Sequence, residues 1–412
     1  MKIVIAVDSF KGSLTSYEAG NSIADGIRSA MPDAVITVKP LADGGEGTVE
    51  ALTLGNNGFI KNITVTGPVG RPVKSMYGIL NSTDLSPDRD NGTVSGISGS
   101  ASGSYTGSPT AVIEMAKAAG ITLVPADFPA DMRNPLYTTT YGVGELIKDA
   151  IHEGCRNFII GIGGSATNDG GIGMLQALGF GMLDYKGCQV PFGAIGLKNL
   201  KSITTDNVLP ELSECTFRIA CDVTNPLCGS NGCSAVFGPQ KGATTQMITD
   251  MDRWLAHYAD IAGDIAGMTS GKADARFPGS GAAGGMGFAF HTFLNASLES
   301  GTHIILEATR LRQYIRATDI VVTGEGRLDS QTVMGKAPSG VAAIAKEYGI
   351  PVIAFCGCAS DDAGVCNDNG IDAFFPILTG VTTLEEAMSH DTARRNAAAT
   401  AEQVFRLIKT LS

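Results

Sequence analysis

The stretch that most constrains the fold is residues 157–173, where an apolar run passes directly into a glycine-rich loop. The run Phe158–Ile162 is short and rich in β-branched residues, as a buried strand is. The loop Gly163–Gly171 holds four glycines, which leave backbone amides unobstructed by side chains. Because clustered amides bind phosphate and carboxylate groups, the stretch predicts a strand that ends at an anion-binding loop. A tight structural turn is the alternative.

The start of the chain predicts a parallel sheet. Lys2–Asp8 has the apolar pattern of a buried strand that ends in an acid. A helix with Ser16 as its N-cap is expected next, followed by a second strand. This order is typical of parallel sheets, whose ligands bind at the carboxyl ends of the strands. Asp8 and Lys11 lie at one such end and the loop 43–48 lies at the next, so we expect a shared site.

The same strand and helix alternation returns near the end of the chain. The first 55 residues and the last part of the sequence share this alternation of strands and helices, so we expect two α/β domains. A parallel-sheet domain would be built from residues 1–66 and 288–412, with residues 67–287 inserted as the second domain. Residues 81–108 are rich in Ser, Gly, Asp and Asn, which predicts an exposed, dispensable loop.

Composition disfavours several classes of function. The net charge of −11 argues against nucleic acid and against an anionic membrane surface. No window reaches the roughly 18–20 apolar residues of a membrane span. The nine cysteines form no repeated C-x-x-C pairs, which is typical of reduced thiols and predicts a cytoplasmic location. The composition is compatible with a homodimer.

Known nucleotide motifs leave one alternative open. The chain has neither a G-x-x-x-x-G-K-[ST] loop nor the protein-kinase motifs. Residues 161–166 do satisfy G-x-G-x-x-[GA] after a strand, with Asp184 about 20 residues further on. A dinucleotide-binding oxidoreductase acting on a small hydroxy acid is therefore the alternative function. Against it, Asn168–Gly171 interrupts the place where the phosphate-binding helix should start.

The remaining polar residues match the needs of phosphoryl transfer. Such a site needs cations to neutralise phosphate, acids to hold Mg²⁺ and one acid to take a proton from the attacking hydroxyl. Acids and isolated lysines stand in the glycine-rich loops of this chain, whereas its five histidines are scattered. The residues alone therefore predict an ATP-dependent kinase of a small molecule.

Seven loop motifs, in order along the chain, resemble the type-1 glycerate kinase family. The resemblance implies ATP- and Mg²⁺-dependent phosphorylation of D-glycerate, usually on the 2-hydroxyl. It also implies a flavodoxin-like domain formed by both chain ends and an inserted domain similar to restriction endonucleases. A noncatalytic glycerate-binding protein is the alternative from another class. The motifs are D-S-F-K-G-S-L at Asp8, L-A-D-G-G-E-G-T at Leu41, G-I-G-G-S-A-T-N-D-G-G at Gly161, C-D-V-T-N-P-L at Cys221, F-G-P-Q-K-G-A at Phe237, G-A-A-G-G-M-G at Gly281 and T-G-E-G-R-L-D-S-Q-T at Thr323.

Roles within these motifs are expectations. Asp169 is the expected general base, and the alternative is that it caps the following turn. Asp43 is the second candidate for the base, and Lys11 and Lys241 are the expected catalytic cations. Mg²⁺ is expected at Glu325 and Asp329, with Asp43 and Glu46 competing. Substrate and phosphate binding are expected of Asp8, Ser9, Gly44, Gly45, Glu46, Gly163, Gly164, Ser165, Asn168, Asp222, Asn225, Gly284, Gly285, Arg327 and Lys336.

Overall fold

A computed structural model describes residues 1–81, 107–125, 134–263 and 273–411. Within it the chain forms two compact units. The first unit joins Met1–Gly55 to Glu299–Ser412, and the second unit is Asn56–Leu298. Most of the segment predicted to be an exposed loop, residues 82–106, lies outside the described residues.

The described strands form two larger sheets and one pair. The first unit has a sheet in the order β13-β12-β11-β1-β2, and the second has one in the order β10-β9-β6-β5-β4-β3, beside the pair β7-β8. The strands are β1 (Lys2–Val7), β2 (Val35–Val38), β3 (Phe59–Thr66), β4 (Pro72–Leu80), β5 (Thr110–Glu114), β6 (Asn157–Gly161), β7 (Gly181–Leu183), β8 (Ser202–Thr204), β9 (Thr216–Ala220), β10 (Ser297–Glu299), β11 (Ile320–Leu328), β12 (Val352–Ala359) and β13 (Ala373–Pro376).

The helices follow the strands in both units, which gives a mixed α/β fold. No helix in the described parts of the chain is both long enough and apolar enough to cross a membrane. The helices are α1 (Ser16–Ala30), α2 (Thr48–Gly55), α3 (Ala116–Ala119), α4 (Tyr141–His152), α5 (Ile172–Ala177), α6 (Ala194–Leu197), α7 (Cys233–Phe237), α8 (Thr245–Gly263), α9 (Ala282–Leu294), α10 (Gly301–Ala308), α11 (Leu311–Ile315), α12 (Ala337–Glu347), α13 (Val365–Asp368), α14 (Leu384–Met388) and α15 (His390–Leu411).

The first unit has an all-parallel sheet, as the order of its elements predicts. β1 lies between β11 and β2 and pairs in parallel with both, with Ile5 opposite Val322 and Val38. α1 and α15 cover the sheet and share its apolar core. The two helices come so close that a Cβ on Gly26 would lie 2.0 Å from the Ala398 carbonyl oxygen.

α1 begins with a capping box. The Thr15 hydroxyl oxygen accepts the Glu18 N–H at 3.2 Å, and the Thr15 N–H donates to the Glu18 carboxylate at 3.0 Å. The N-cap is therefore Thr15, and the prediction of Ser16 was wrong by one residue. The capping box needs its acid three residues after the cap, and only Thr15 has that spacing to Glu18.

The second unit has a mixed sheet. β5, β6 and β9 are parallel, so their carboxyl ends share one edge, whereas β3, β4 and β5 are antiparallel. The domain boundaries expected from the sequence, at 66/67 and 287/288, both fall within this unit's residue range. The reason is that β3 pairs with β4 along its whole length and that the core of this unit includes α9.

Candidate active site

The carboxyl edge of the first unit's sheet gathers charged residues. Asp8 directly follows β1, Asp43 follows β2, and Glu325 lies in the second half of β11. Because these three strands are neighbours and parallel, they end at the same edge. Lys11 and Lys336 belong to the loops at this edge. The shared site expected from the sequence is therefore assembled within the first unit.

Asp8 occupies the middle of this edge. It is 6% exposed, and its Oδ1 accepts the Ser9 N–H at 2.6 Å. Burial and, after it, the Asp43 carboxylate raise the pKa of Asp8 to about 7, against the opposing effects of the Ser9 N–H and Lys11. Asp8 is therefore a buried acid whose pKa lies well above its ordinary value.

Lys11 and Asp43 form an ion pair beside Asp8. The Lys11 Nζ lies 2.7 Å from the Asp43 Oδ2, and the Gly45 N–H donates to the Asp43 Oδ1 at 3.0 Å. Burial disfavours the charge on Asp43, but Lys11 and the Gly45 amide overcome it and hold the pKa of Asp43 below its usual range. Gly44 has a left-handed φ of 85°, which forms the turn that brings the Gly45 amide back. Glu46 is exposed.

A second charged group surrounds Glu325. The Thr332 hydroxyl donates to its Oε1 at 2.7 Å, and the Lys336 Nζ lies 3.3 Å from its Oε2. Lys336 also lies 3.6 Å from the Asp329 Oδ1, and the Arg327 Nε lies 3.7 Å from the Asp329 Oδ2. Burial raises the pKa of Glu325, and Thr332 and Lys336 oppose that rise. Thr332 was not predicted, although it stands in the same motif as Glu325.

Two carboxylates at this edge, those of Glu325 and Asp329, lie close enough to share Lys336 as a partner. No group of three or more His, Cys, Asp or Glu side chains suited to a metal is found among the described residues. Mg²⁺ at phosphoryl-transfer sites is commonly held by only one or two carboxylates plus waters and the substrate's phosphates. Glu325 and Asp329, which share Lys336 as a partner, fit that requirement.

The glycine loop of the second unit is exposed only at its start. Gly163 and Gly164 are exposed and Ser165 is half-buried, whereas residues 166–171 are buried. The Gly164 carbonyl accepts the Ile121 N–H at 2.9 Å, which fixes the exposed part against the segment after α3. Only these first three residues can present amides to a ligand within this unit.

Asp169 has the contacts of a cap. It is fully buried, and its Oδ2 accepts both the N–H and the hydroxyl of Thr140 at 2.9 Å. Its Oδ1 accepts the Gly171 N–H at 3.1 Å. Burial raises the pKa of Asp169, although these hydrogen bonds oppose the rise. The geometry therefore favours the capping alternative over the general base. Thr140 was missed because it lies 29 residues away in sequence.

Lys241 is also buried. Its Nζ donates to the Thr167 carbonyl at 2.6 Å, and only 7% of the residue is exposed. Burial lowers the pKa of Lys241 to about 8, against the effects of Cys233 and Asp169. In this structure Lys241 therefore contacts the glycine loop from the interior.

Gly284 and Gly285 pack against the same loop. Their φ values of 69° and 95° are left-handed, and a Cβ on Gly284 would lie 2.1 Å from the Thr167 carbonyl oxygen. The Gly284 carbonyl accepts the Gly170 N–H at 2.9 Å. Asn168 is fully buried as well, and its amide donates to the Ser234 hydroxyl at 2.8 Å. Gly284, Gly285 and Asn168 therefore pack inside the second unit, and their predicted ligand contacts stay predictions.

Two further candidates follow β9. Asp222 is exposed, and Asn225 is half-buried and donates to the Asn231 carbonyl at 2.9 Å. β9 and β6 are parallel neighbours. Asp222 and the exposed glycines 163 and 164 therefore lie at one edge of the second unit's sheet.

Comparison with known proteins identifies the family. A profile of the Glycerate kinase family matches residues 3–409. The chain belongs to the glycerate kinase family. The resemblance seen in the loop motifs is thereby confirmed, and the protein is an enzyme that acts as a kinase, for which ATP binding is expected. The dinucleotide oxidoreductase alternative is set aside.

The relatives match over nearly their whole length. The glycerate 2-kinase of Escherichia coli K12 is 46% identical over 97% of this chain and 98% of its own. The glycerate kinase of Bacillus subtilis 168 is 45% identical over 95% and 94%. The crystal structure of a Salmonella typhimurium LT2 protein assigned as glycerate kinase 2 matches with a TM-score of 0.84 at 42% identity. The match covers 100% of this chain and 98% of the Salmonella typhimurium chain.

Proposed function

We propose that the protein transfers the γ-phosphoryl group of ATP to the 2-hydroxyl of D-glycerate, giving 2-phospho-D-glycerate and ADP. The carboxyl edge of the first unit is the observation that carries this proposal. It alternates acids with cations: Asp8, Lys11, Asp43, Glu325 and Lys336. The 46% identical relative named glycerate 2-kinase supports the 2-position of the product.

The cations at this edge have the exposure that anion binding needs. The side chains of Lys11, Lys336 and Arg327 are 71%, 37% and 65% exposed. Exposed ion pairs contribute little to stability, so Lys11 can exchange its partner Asp43 for a phosphate or the glycerate carboxylate at small cost. In a protein of net charge −11 they provide local positive charge for an anionic substrate.

Mg²⁺ is proposed to bind at Glu325 and Asp329. It would neutralise charge on the phosphates of ATP as the phosphoryl group moves. Lys336 holds both carboxylates in the structure, and we propose that it turns to the phosphates when the ion binds. Thr332 fixes the Glu325 carboxylate by its hydrogen bond at 2.7 Å.

We also propose binding roles for loop residues outside this charged group. Gly163, Gly164 and Ser165, with Asp222 and Asn225, are proposed binding groups of the second unit. Ser9, Gly44, Gly45 and Glu46 keep that role in the first. The flavodoxin-like and restriction-endonuclease-like descriptions, the cytoplasmic location and a homodimer are proposed on the family resemblance.

Phosphorus NMR of the reaction mixture tests the proposal. Purified protein with D-glycerate and Mg-ATP is expected to give the 2-phosphate and stoichiometric ADP. A 3-phosphate product would contradict the position, and absence of glycerate-dependent ADP release would contradict the activity. Omitting Mg²⁺ in the presence of a chelator tests the metal and is expected to abolish turnover.

A further inference from the structure

The carboxylates at the edge of the first unit differ in what their oxygens contact. Asp43 has one oxygen on Lys11 and the other on the Gly45 amide. Glu325 has one on Thr332 and the other on Lys336. Among the described residues, Asp8 has a partner on Oδ1 alone, the Ser9 N–H, and its Oδ2 accepts no hydrogen bond. Asp8 therefore keeps one carboxylate oxygen ready to accept a proton.

Asp329 does not share this property. Its Oδ1 accepts the Gln331 N–H at 3.0 Å and lies 3.6 Å from the Lys336 Nζ. Its Oδ2 lies 3.7 Å from the Arg327 Nε. Both carboxylate oxygens of Asp329 therefore have partners, whereas the Oδ2 of Asp8 has none in the described part of the chain.

We propose that Asp8 is the general base, and that its Oδ2 accepts the proton of the glycerate hydroxyl that attacks ATP. This rests on the proposed function. As the hydroxyl oxygen forms its bond to the γ-phosphorus, the O–H bond breaks and the proton passes to Asp8. The bond between the γ-phosphorus and the β,γ-bridging oxygen breaks, and its electron pair leaves with ADP.

The surroundings of Asp8 suit this role. The charged groups that act on it are Asp43 after β2, Glu325 on β11 and Lys11 in its own loop. Burial and the two acids raise the pKa of Asp8 to about 7, whereas Lys11 lowers it. A base works best when its pKa lies near the working pH, since it is then ionised and still holds a proton well. Asp169, the base expected from the sequence, has hydrogen-bond donors on both oxygens.

Asp8→Asn tests the proposal directly. Asn keeps an oxygen for the Ser9 N–H but cannot accept a proton, so kcat should fall by ~10²–10⁴-fold. The dissociation constant for glycerate, measured by calorimetry, should stay nearly unchanged. The wild-type kcat should also rise through an acid limb centred near pH 7. That limb should be absent from the residual activity of Asp8→Asn.

Matched variants separate the outcomes. Asp361→Asn removes an exposed carboxylate from the same unit and should leave kcat and its pH profile unchanged. Asp8→Glu retains a carboxylate, so it should be more active than Asp8→Asn. If Asp8→Asn does not fold, the pH dependence of the wild-type kcat tests the proposal instead. A wild-type kcat that does not change between pH 6 and 8 would overturn it. A folded Asp8→Asn with wild-type kcat would overturn it while leaving the proposed function intact. A wild-type protein that does not phosphorylate glycerate would overturn both.

Discussion

The two units contain glycine-rich loops of similar composition, but they use them in opposite ways. In the first unit, the loops after β1 and β2 place Lys11 and Asp43 at the surface around a buried Asp8. In the second unit, the loop after β6 turns its acid inward, and Asp169 is fully buried. Glycine serves exposed turns in the first case and close packing of backbone segments in the second.

The difference shows that polar residues in a glycine loop do not by themselves indicate a ligand. Asp169 and Lys241 have the residue types of a catalytic site, yet their contacts are Thr140, Gly171 and Thr167. Their arrangement stabilises the loop so that its first residues, 163–165, remain in a fixed position. Substitutions in the buried part of the second unit's loop should therefore act mainly on stability, and those of the charged edge in the first unit mainly on turnover.

The largest effect on stability is expected for Gly284→Ala. The new Cβ would meet the Thr167 carbonyl oxygen at 2.1 Å, and the left-handed φ of 69° adds strain. The free energy of unfolding should fall by about 4 kcal/mol, measured by urea denaturation. Gly154→Ala is the matched control, because its φ is 88° and no atom lies within 4 Å of the added Cβ. It should cost only about 1–2 kcal/mol. Equal losses in the two variants would contradict close packing at Gly284.

The next largest effect is expected on catalysis in the first unit. Lys11→Met and Lys336→Met should each lower kcat/KM by ~100-fold, since each removes a cation that neutralises phosphate or carboxylate charge. Lys346→Met is the control, because Lys346 is also ion-paired and its side chain is 37% exposed, like that of Lys336. It should retain wild-type kinetics. Normal kinetics in both Lys11→Met and Lys336→Met would show that this edge does not bind the phosphate.

Asp169→Asn should destabilise by about 2 kcal/mol, because the Asp169 carboxylate contacts hydrogen-bond donors and the Asn amide would place its own N–H against one of them. These donors include the N–H and the hydroxyl of Thr140, the N–H of Gly171 and the N–H of Gly173. Thermal unfolding measures the loss of stability, and kcat is measured at a temperature well below the midpoint of unfolding. If the midpoint is unchanged and kcat falls by ~10²–10⁴-fold, Asp169 is the base after all.

Much of the fold is predictable from local sequence pattern. The apolar run of β1 and the acid at its end indicate a buried parallel strand, and β11 pairs with it as expected of one sheet built from both chain ends. The start of α1 was predicted one residue late, at Ser16, although Thr15 and Glu18 have the three-residue spacing of a capping box. These features depend on residues close together in sequence.

The direction in which a loop side chain points is not predictable in the same way. Asp169 is buried because it meets Thr140, and Lys241 because it meets Thr167, at separations of 29 and 74 residues. No local pattern encodes such contacts. Asp8 was likewise predicted only as a binding residue, because its unpartnered oxygen is evident only once Asp43 and Glu325 are placed beside it.

Asp8→Asn should have the opposite effect on stability to Asp169→Asn, and an effect that depends on pH. The folded-state pKa of Asp8 is raised from 3.8 to about 7, so the folded protein holds a proton there that the unfolded chain has lost. The contribution of Asp8 to stability is therefore full below pH 4 and is lost as pH rises through 7. Asn cannot ionise, so its contribution to stability does not fall as pH rises. Its amide nitrogen would take the position of Oδ2, where no hydrogen-bond donor of the described residues opposes it. The variant should be more stable than wild type by as much as about 4 kcal/mol at pH 8 and equal to it near pH 4, by urea denaturation at both pH values. A gain that does not depend on pH, or a loss at pH 8, would show that Asp8 is not buried in the way described.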